Sequence, residues 1–174
     1  MRRYIALAMT LLVVPLVLFG CDKELPAVSS PVELVGQALP KVRIQRIDVG
    51  PTDLKTNRGR PALVALWASW CTPCAEEIPA LLRWHATRQD VDLIVLNVDS
   101  VDTDLNVIRR IAGDLGLGAP LLATSPARAS ALGLRSLPLS LAVDADGVVV
   151  AVSEGYRGED AMREWLTANL PEAP

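Results

Sequence analysis

The chain has the sequence ALVALWASWCTPC over residues 62–74, and this stretch decides the fold. Residues 62–68 form a continuous apolar run, which is typical of a central strand that is covered on both faces. The segment 71–88 predicts a helix, because its apolar side chains recur at helical spacing. A second apolar run at 92–98 predicts the next strand. Strand, helix and strand together indicate a parallel βαβ unit with a right-handed crossover.

Weaker patterns on both sides of this unit complete an α/β fold. Before it, the alternation over residues 42–49 predicts a half-buried strand with a bulge, and Gly50-Pro51 predicts a turn. The elements predicted after it are helices at 102–115, 126–132 and 159–170 and strands at 121–123, 139–143 and 148–152. Asp146-Gly147 joins the last two strands and is a hairpin signal. Parallel and antiparallel pairs in one sheet imply helices on both of its faces.

Cys71 and Cys74 stand where the predicted helix begins. Their C-x-x-C spacing on one helical turn lets the two sulfurs meet. The unpaired N–H groups and the positive dipole end of a helix N-terminus favour a thiolate on Cys71. Cys74, one turn further in, suits a resolving thiol, and Pro73 fits a helix start because its missing N–H has no partner there. The pair is therefore predicted to be a redox-active dithiol.

Three other uses of the cysteine pair fit the sequence less well. A structural zinc site would need two more Cys or His ligands, whereas the chain has His85 as its one histidine and no second C-x-x-C. A c-type haem site needs a histidine directly after Cys74, where Ala75 stands. An inert structural disulfide is the third alternative. No metal or other cofactor is expected, and His85 is predicted to lie on the helix surface.

Composition restricts the protein class further. The chain has 174 residues, of which 51% are hydrophobic and 21% are charged, so it is an ordinary folded domain rather than a disordered chain. The formal net charge is −3, and no long basic run occurs, which argues against nucleic-acid binding. Three cysteines are too few for a disulfide-stapled scaffold.

The first twenty residues are predicted to be a signal peptide. Arg2 and Arg3 precede an uncharged apolar run of about fifteen residues, which is the length of a signal core and short of the roughly twenty residues of a spanning helix. The run ends in Leu18-Phe19-Gly20-Cys21, which resembles a bacterial lipoprotein signal. That resemblance implies that Cys21 is lipidated and becomes the first mature residue; an uncleaved membrane anchor is the alternative. Residues 21–40, rich in Pro and Ser, are predicted to form a tether, followed by one domain at 41–174.

Residues 62–79 together resemble the TlpA/ResA type of membrane-anchored, thioredoxin-like thiol–disulfide oxidoreductase. The shared pattern is an apolar strand, Trp-Ala-x-Trp-Cys-x-Pro-Cys, and then Glu-x-Pro, and the resemblance extends over residues 35–170. It implies an α/β thioredoxin fold, in which helices flank a central mixed β-sheet that carries an N-terminal strand extension and a central insertion.

The resemblance also implies roles for particular residues. Pro138 would have a cis peptide bond and face the cysteines, and the backbone of Leu137 would pair with an extended substrate segment. Glu77 would lie near the dithiol, tune it and carry protons, since a buried carboxyl has a raised pKa. The alternatives are an ordinary trans proline and a solvated glutamate, which is our interpretation of Glu76.

Substrate binding is also assigned to Trp70, Thr72 and Pro73, which lie beside the cysteines in sequence. Trp67 and Trp70 are expected to pack around the motif. The sequence departs from soluble thioredoxins at Ala65, where those proteins have a buried aspartate, so Glu77 is the expected proton acceptor. It also lacks, before Pro138, the signature of the cytochrome c maturation subgroup.

These features predict a lipid-anchored, envelope-facing reductase of disulfides in exported proteins. It would be recharged by a membrane thiol transporter of the DsbD/CcdA kind, and Asp22 favours the inner membrane. The alternatives are a disulfide-forming oxidase of the same fold, a copper-site assembly factor and a tethered adaptor. Met162 is the only methionine after the signal peptide, which disfavours the copper alternative. Apocytochrome c, a copper-site protein and general envelope thiols all stay open as substrates.

Overall fold

The computed structural model describes residues 28–57 and 59–171. The predicted signal peptide and Cys21 lie outside the described residues. Within those two ranges no helix combines the length and the apolar character needed to cross a bilayer.

One sheet of seven strands organises the described part of the chain, in the order β2-β1-β5-β4-β3-β6-β7. Its strands are β1 (Arg43–Arg46), β2 (Gly50–Asp53), β3 (Ala62–Trp67), β4 (Asp92–Asn97), β5 (Leu122–Ala123), β6 (Leu139–Val143) and β7 (Val149–Glu154). The α-helices are α1 (Thr72–Thr87), α2 (Leu105–Asp114), α3 (Pro126–Ala129) and α4 (Glu159–Asn169). Two short 3₁₀ helices cover Pro31–Leu34 and Ser130–Leu132.

Strand β3 is the centre of this sheet. It pairs in parallel with β4 and antiparallel with β6, and all of its residues are buried. Val64 and Leu66 enter one apolar core, and Leu63 and Ala65 enter another on the opposite face, as the two-residue repeat of a strand requires. The first core receives α2, the second receives α4, and α1 contributes side chains to both. The predicted α/β class, with a mixed sheet between helices, is confirmed.

The N-terminal strand extension differs from its prediction. Strand β1 ends at Arg46, and the chain turns at once through Asp48, which has a φ of 69°. Aspartate tolerates this left-handed conformation better than most residues. The predicted bulge is therefore a tight turn, and the turn predicted at Gly50-Pro51 is wrong, since both residues belong to β2. Pro51 is accommodated because β2 is an edge strand.

Part of the segment predicted as a tether lies against the domain. The first 3₁₀ helix buries Pro31 and Leu34. Just after it, the N–H of Gly36 donates a hydrogen bond of 2.8 Å to the carbonyl of Val149, and Ala38 bridges Val148. Two buried apolar side chains and backbone hydrogen bonds thus hold residues 31–38 on the domain.

Gly133 offers a test of that attachment. Its φ of 74° is left-handed, and a Cβ there would lie 2.7 Å from the backbone nitrogen of Pro31. We expect Gly133→Ala to lower the free energy of unfolding by about 2 kcal/mol or more, since backbone strain and a clash add together. Gly36→Ala is the matched control, because Gly36 has a φ of 83° and open space around it. Urea unfolding that gave equal losses for both variants would contradict the close contact.

Candidate active site

The two cysteines of the motif form a disulfide at the start of α1. Cys71 is the N-cap residue, and its Sγ accepts a hydrogen bond of 3.2 Å from the N–H of Cys74. Cys71 is 6% exposed and Cys74 is fully buried, so the pair can be reached only through Cys71. After reduction, a thiolate on Cys71 would keep this N–H donor and the positive end of a sixteen-residue helix. The predicted order of attacking and resolving thiol matches this difference in exposure.

A buried carboxylate holds the loop that leads from β3 to Cys71. Asp99, just after β4, accepts hydrogen bonds of 2.8 Å from both the backbone N–H and the hydroxyl of Ser69. The side chain of Asn97 donates a third bond to Asp99, at 2.6 Å. The loop before the cysteine is therefore fixed from the neighbouring parallel strand, which sequence reasoning missed.

Glu77 lies one turn beyond Cys74 and is 1% exposed. A helical side chain leans toward the preceding turn, so Glu77 leans toward Cys74. Burial raises the pKa of Glu77 from 4.5 to about 7, and a hydrogen bond from Ser140 opposes that rise. Glu76 is exposed, in agreement with its interpretation as a solvated residue.

Ser140 is a second residue that sequence reasoning missed. Its hydroxyl donates to Oε1 of Glu77 at 3.2 Å, and its side chain is fully buried. The one available signal was a single polar residue inside the apolar run of β6. The sheet register places Ser140 opposite Ala65, the position that holds an aspartate in soluble thioredoxins.

Pro138 lies at the same edge of the sheet as the cysteines. The register pairs Leu66 near the end of β3 with Leu139 at the start of antiparallel β6, so Pro138 lies beside the loop that leads to Cys71. The Leu137–Pro138 bond is cis, as expected. The carbonyl of Pro138 accepts a bond of 2.9 Å from Gly155, and no described residue hydrogen bonds to the backbone of Leu137.

The remaining predicted site residues form the exposed rim of the pair. Thr72 and Pro73 are exposed in the first turn of α1. Trp67 is buried as expected, but Trp70 is 70% exposed, so the expectation that it packs around the motif is wrong. Trp70 directly follows Ser69, whose backbone and side chain are held by Asp99. The rim thus offers one large apolar side chain next to Cys71.

No group of three or more His, Cys, Asp or Glu side chains that could hold a metal occurs among the described residues. His85, expected on the surface, is half-buried near the end of α1. The site brings together two sulfurs that can form or break a disulfide, one buried carboxyl with a pKa of about 7, and a backbone segment at Leu137 that is unpaired among the described residues. This set suits thiol–disulfide exchange with an extended polypeptide.

Comparison with known proteins agrees with this arrangement. The model of the AhpC/TSA family matches residues 35–152. The chain is 22% identical over 138 residues to the thiol-disulfide oxidoreductase ResA of Bacillus thuringiensis (strain Al Hakam), which covers 79% of each chain. It is 24% identical over 132 residues to the thioredoxin-like protein YneN of Bacillus subtilis (strain 168), covering 75% of this chain and 78% of YneN.

Two solved structures share the fold. One is a thiol:disulfide interchange protein of the thioredoxin family from Chlorobium tepidum TLS, with a TM-score of 0.61 and 22% identity, covering 76% of this chain and 95% of that one. The other is StoA from Bacillus subtilis, with a TM-score of 0.59 and 21% identity, covering 74% and 98%. The thioredoxin-like fold predicted from the sequence is thereby confirmed.

The raised pKa of Glu77 makes stability depend on pH. Because the carboxyl ionises near 4.5 in the unfolded chain and near 7 in the fold, its contribution is fully present below pH 4.5 and is lost as pH rises to 7. We expect the free energy of unfolding of the oxidised protein to fall by about 3 kcal/mol over this range, relative to Glu77→Gln. Urea titrations at pH 4.5 and 8 measure this difference. Glu76→Gln is the exposed control, and parallel pH curves for all three proteins would contradict the buried carboxyl.

Proposed function

Because the chain belongs to the AhpC/TSA family and is of the TlpA/ResA thioredoxin-like type, we propose that it is a thiol–disulfide oxidoreductase working as a reductase of disulfides in exported proteins. The observation that carries this proposal is the Cys71–Cys74 disulfide at the N-terminus of α1, with Glu77 buried one turn further on. The ResA and thiol:disulfide interchange names of similar proteins support the reaction class.

The reaction begins from the reduced dithiol. The Cys71 thiolate attacks one sulfur of a substrate disulfide, forms a mixed disulfide with it, and displaces the other substrate sulfur as a thiolate. Cys74 then attacks Cys71 and passes its proton to the Glu77 carboxylate. The bond from Cys71 to the substrate breaks and the Cys71–Cys74 bond forms. Two electrons move from the enzyme dithiol to the substrate, which leaves as a dithiol after protonation.

The electrostatics of the site support the reducing direction. A cation beside the thiolate would stabilise the reduced enzyme and make it a stronger oxidant. Among the described residues, no Lys, Arg or His hydrogen bonds to either sulfur. The neighbouring ionisable group is instead the acid Glu77, which disfavours a thiolate when it is ionised. A carboxyl in place of a cation beside the pair supports the proposed role of the dithiol as a donor of electrons.

The edge beside Leu137 and Pro138 supports a polypeptide substrate. The free N–H and C=O of Leu137 can pair with an extended segment, as in strand addition. Exposed Trp70, with Thr72 and Pro73, provides an apolar rim for the same segment. Disulfides in exported proteins are substrates of this shape.

We also propose where the protein works. Lipidation at Cys21 would hold the domain at the envelope face of the bacterial membrane, most simply the inner one. The envelope is oxidising, so the dithiol must be restored by a membrane thiol transporter of the DsbD/CcdA kind. The lipoprotein-like signal at residues 18–21 supports the anchor.

The midpoint potential of the Cys71/Cys74 couple tests the direction of the reaction. We expect a value below about −200 mV, in the reducing part of the range for such dithiols. Equilibration of a domain that begins after Cys21 with glutathione or dithiothreitol buffers measures it. A value near −120 mV, about that of a strong oxidant, would contradict the reductase proposal and indicate a disulfide-forming oxidase.

The anchor has its own test. We expect the full-length chain to be found in the membrane fraction, because a lipid joined to the Cys21 sulfur holds it there. Cys21→Ser should shift the chain to the soluble fraction or leave the signal peptide uncleaved. Incorporation of labelled palmitate, measured in both proteins, separates lipidation from a spanning anchor. Cys71→Ser is the control cysteine variant. Equal labelling of wild type and Cys21→Ser would contradict lipidation at Cys21.

A further inference from the structure

We propose that Ser140 is the positioning residue for the Glu77 carboxyl, holding it against the dithiol and keeping it able to accept a proton at neutral pH. The inference rests on the proposed function, in which Glu77 receives the proton of Cys74. It assigns to β6 a part in the chemistry beyond the binding of substrate at Leu137 and Pro138, which precede this strand.

The geometry gives Ser140 a defined partner. Its hydroxyl donates to Oε1 of Glu77 at 3.2 Å, and both side chains are almost completely buried. Ser140 is the only side chain among the described residues that donates a hydrogen bond to Glu77. This hydrogen bond joins Glu77, on helix α1, to strand β6 of the sheet.

Strand β3, which pairs with β6, explains why the hydrogen bond from Ser140 to Glu77 is needed. Ala65 faces Ser140 across the β3–β6 ladder and brings no polar atom. The methyl group of Ala65 has no donor with which to orient a carboxyl from α1. The single polar residue in β6 therefore supplies the missing hydrogen bond at this level of the sheet.

The charge balance at the site depends on this bond. Burial raises the pKa of Glu77 to about 7, whereas the Ser140 hydrogen bond lowers it by stabilising the ionised form. Without the hydroxyl, the carboxylate would lose a donor and gain none. A larger fraction would then be protonated at pH 7, and a protonated carboxyl cannot accept the proton of Cys74.

Few other charged groups near Glu77 affect its pKa. The disulfide on the same helix carries no charge, and Glu76 points to solvent. Tyr156, after β7, has a pKa that is raised first by burial and to a lesser extent by the charges of Glu159, Glu76 and Glu77. Arg83 of α1 and Glu159 of α4 form an ion pair with each other at the surface. From the sheet, the polar contact to Glu77 among the described residues is the hydroxyl of Ser140.

The test is a direct titration of Glu77 in the oxidised protein by ¹³C NMR, with Glu77→Gln identifying the resonance. We expect Ser140→Ala to raise the midpoint by about 0.5 to 1 pH unit, the equivalent of one lost hydrogen bond. Ser140→Thr, which keeps the hydroxyl, should restore most of the wild-type midpoint. Ser153→Ala is the matched control, because Ser153 is the buried cross-strand neighbour of Ser140 on β7.

A second experiment measures the rate at which a trapped substrate is released from its mixed disulfide with Cys71. We expect release in Ser140→Ala to be about threefold slower at pH 7 and equal to wild type at pH 9, where Glu77 is ionised in both proteins. A merely structural role would slow release at every pH.

An unchanged Glu77 midpoint in Ser140→Ala, or an equal shift in Ser153→Ala, would overturn the inference. The titration requires no redox activity, so it separates this result from a failure of the proposed function, which the midpoint potential of the cysteine couple reports.

Discussion

The enclosure of β3 on all sides is the constraint on which the rest of the structure depends. Two strands bond to its edges and two apolar cores cover its faces, so the point at which it ends is fixed. Three groups that shape the site meet beyond that end. Cys71 follows it along the chain, Asp99 reaches it from the parallel neighbour, and Pro138 approaches it from the antiparallel one. A site assembled from three strands thus needs no flexible loop to bring its parts together.

The two buried carboxyls at this edge are treated in opposite ways. Asp99 accepts three hydrogen bonds from Ser69 and Asn97, and these bonds fix the backbone before Cys71. Glu77 accepts one, from a neutral hydroxyl, in an otherwise apolar site. The burial that raises the pKa of Glu77 to about 7 leaves its two protonation states close in free energy near neutral pH. Asp99 thus fixes the backbone, and the proposed proton transfer falls to Glu77.

Much of the fold and the cysteine site could be predicted from local sequence patterns. The features that could not be predicted were missed for physical reasons. The buried run of β3, the helix that follows and the C-x-x-C spacing are all periodic or contiguous signals, and the structure has them where expected. The turn at Asp48 was missed because a left-handed residue interrupts an alternation in the same way as a bulge does. The exposure of Trp70 and the role of Ser140 depend on partners 30 residues or more away, such as Asp99 for the Ser69 loop and Glu77 for β6. A sequence pattern contains no information on such pairings until the sheet order is known.

The burial of Glu77 also shows why the site lies on so rigid a frame. At pH 7 the buried carboxyl lowers the free energy of unfolding by about 3 kcal/mol relative to acid pH, a large fraction of the stability of a small domain. A loosely packed site would relax, admit water and return the pKa toward 4.5. Because β3 and α1 are held by two cores, the carboxyl stays buried and its pKa stays near 7. The stability lost at one side chain is thus the condition for the proposed proton acceptor beside a buried thiol.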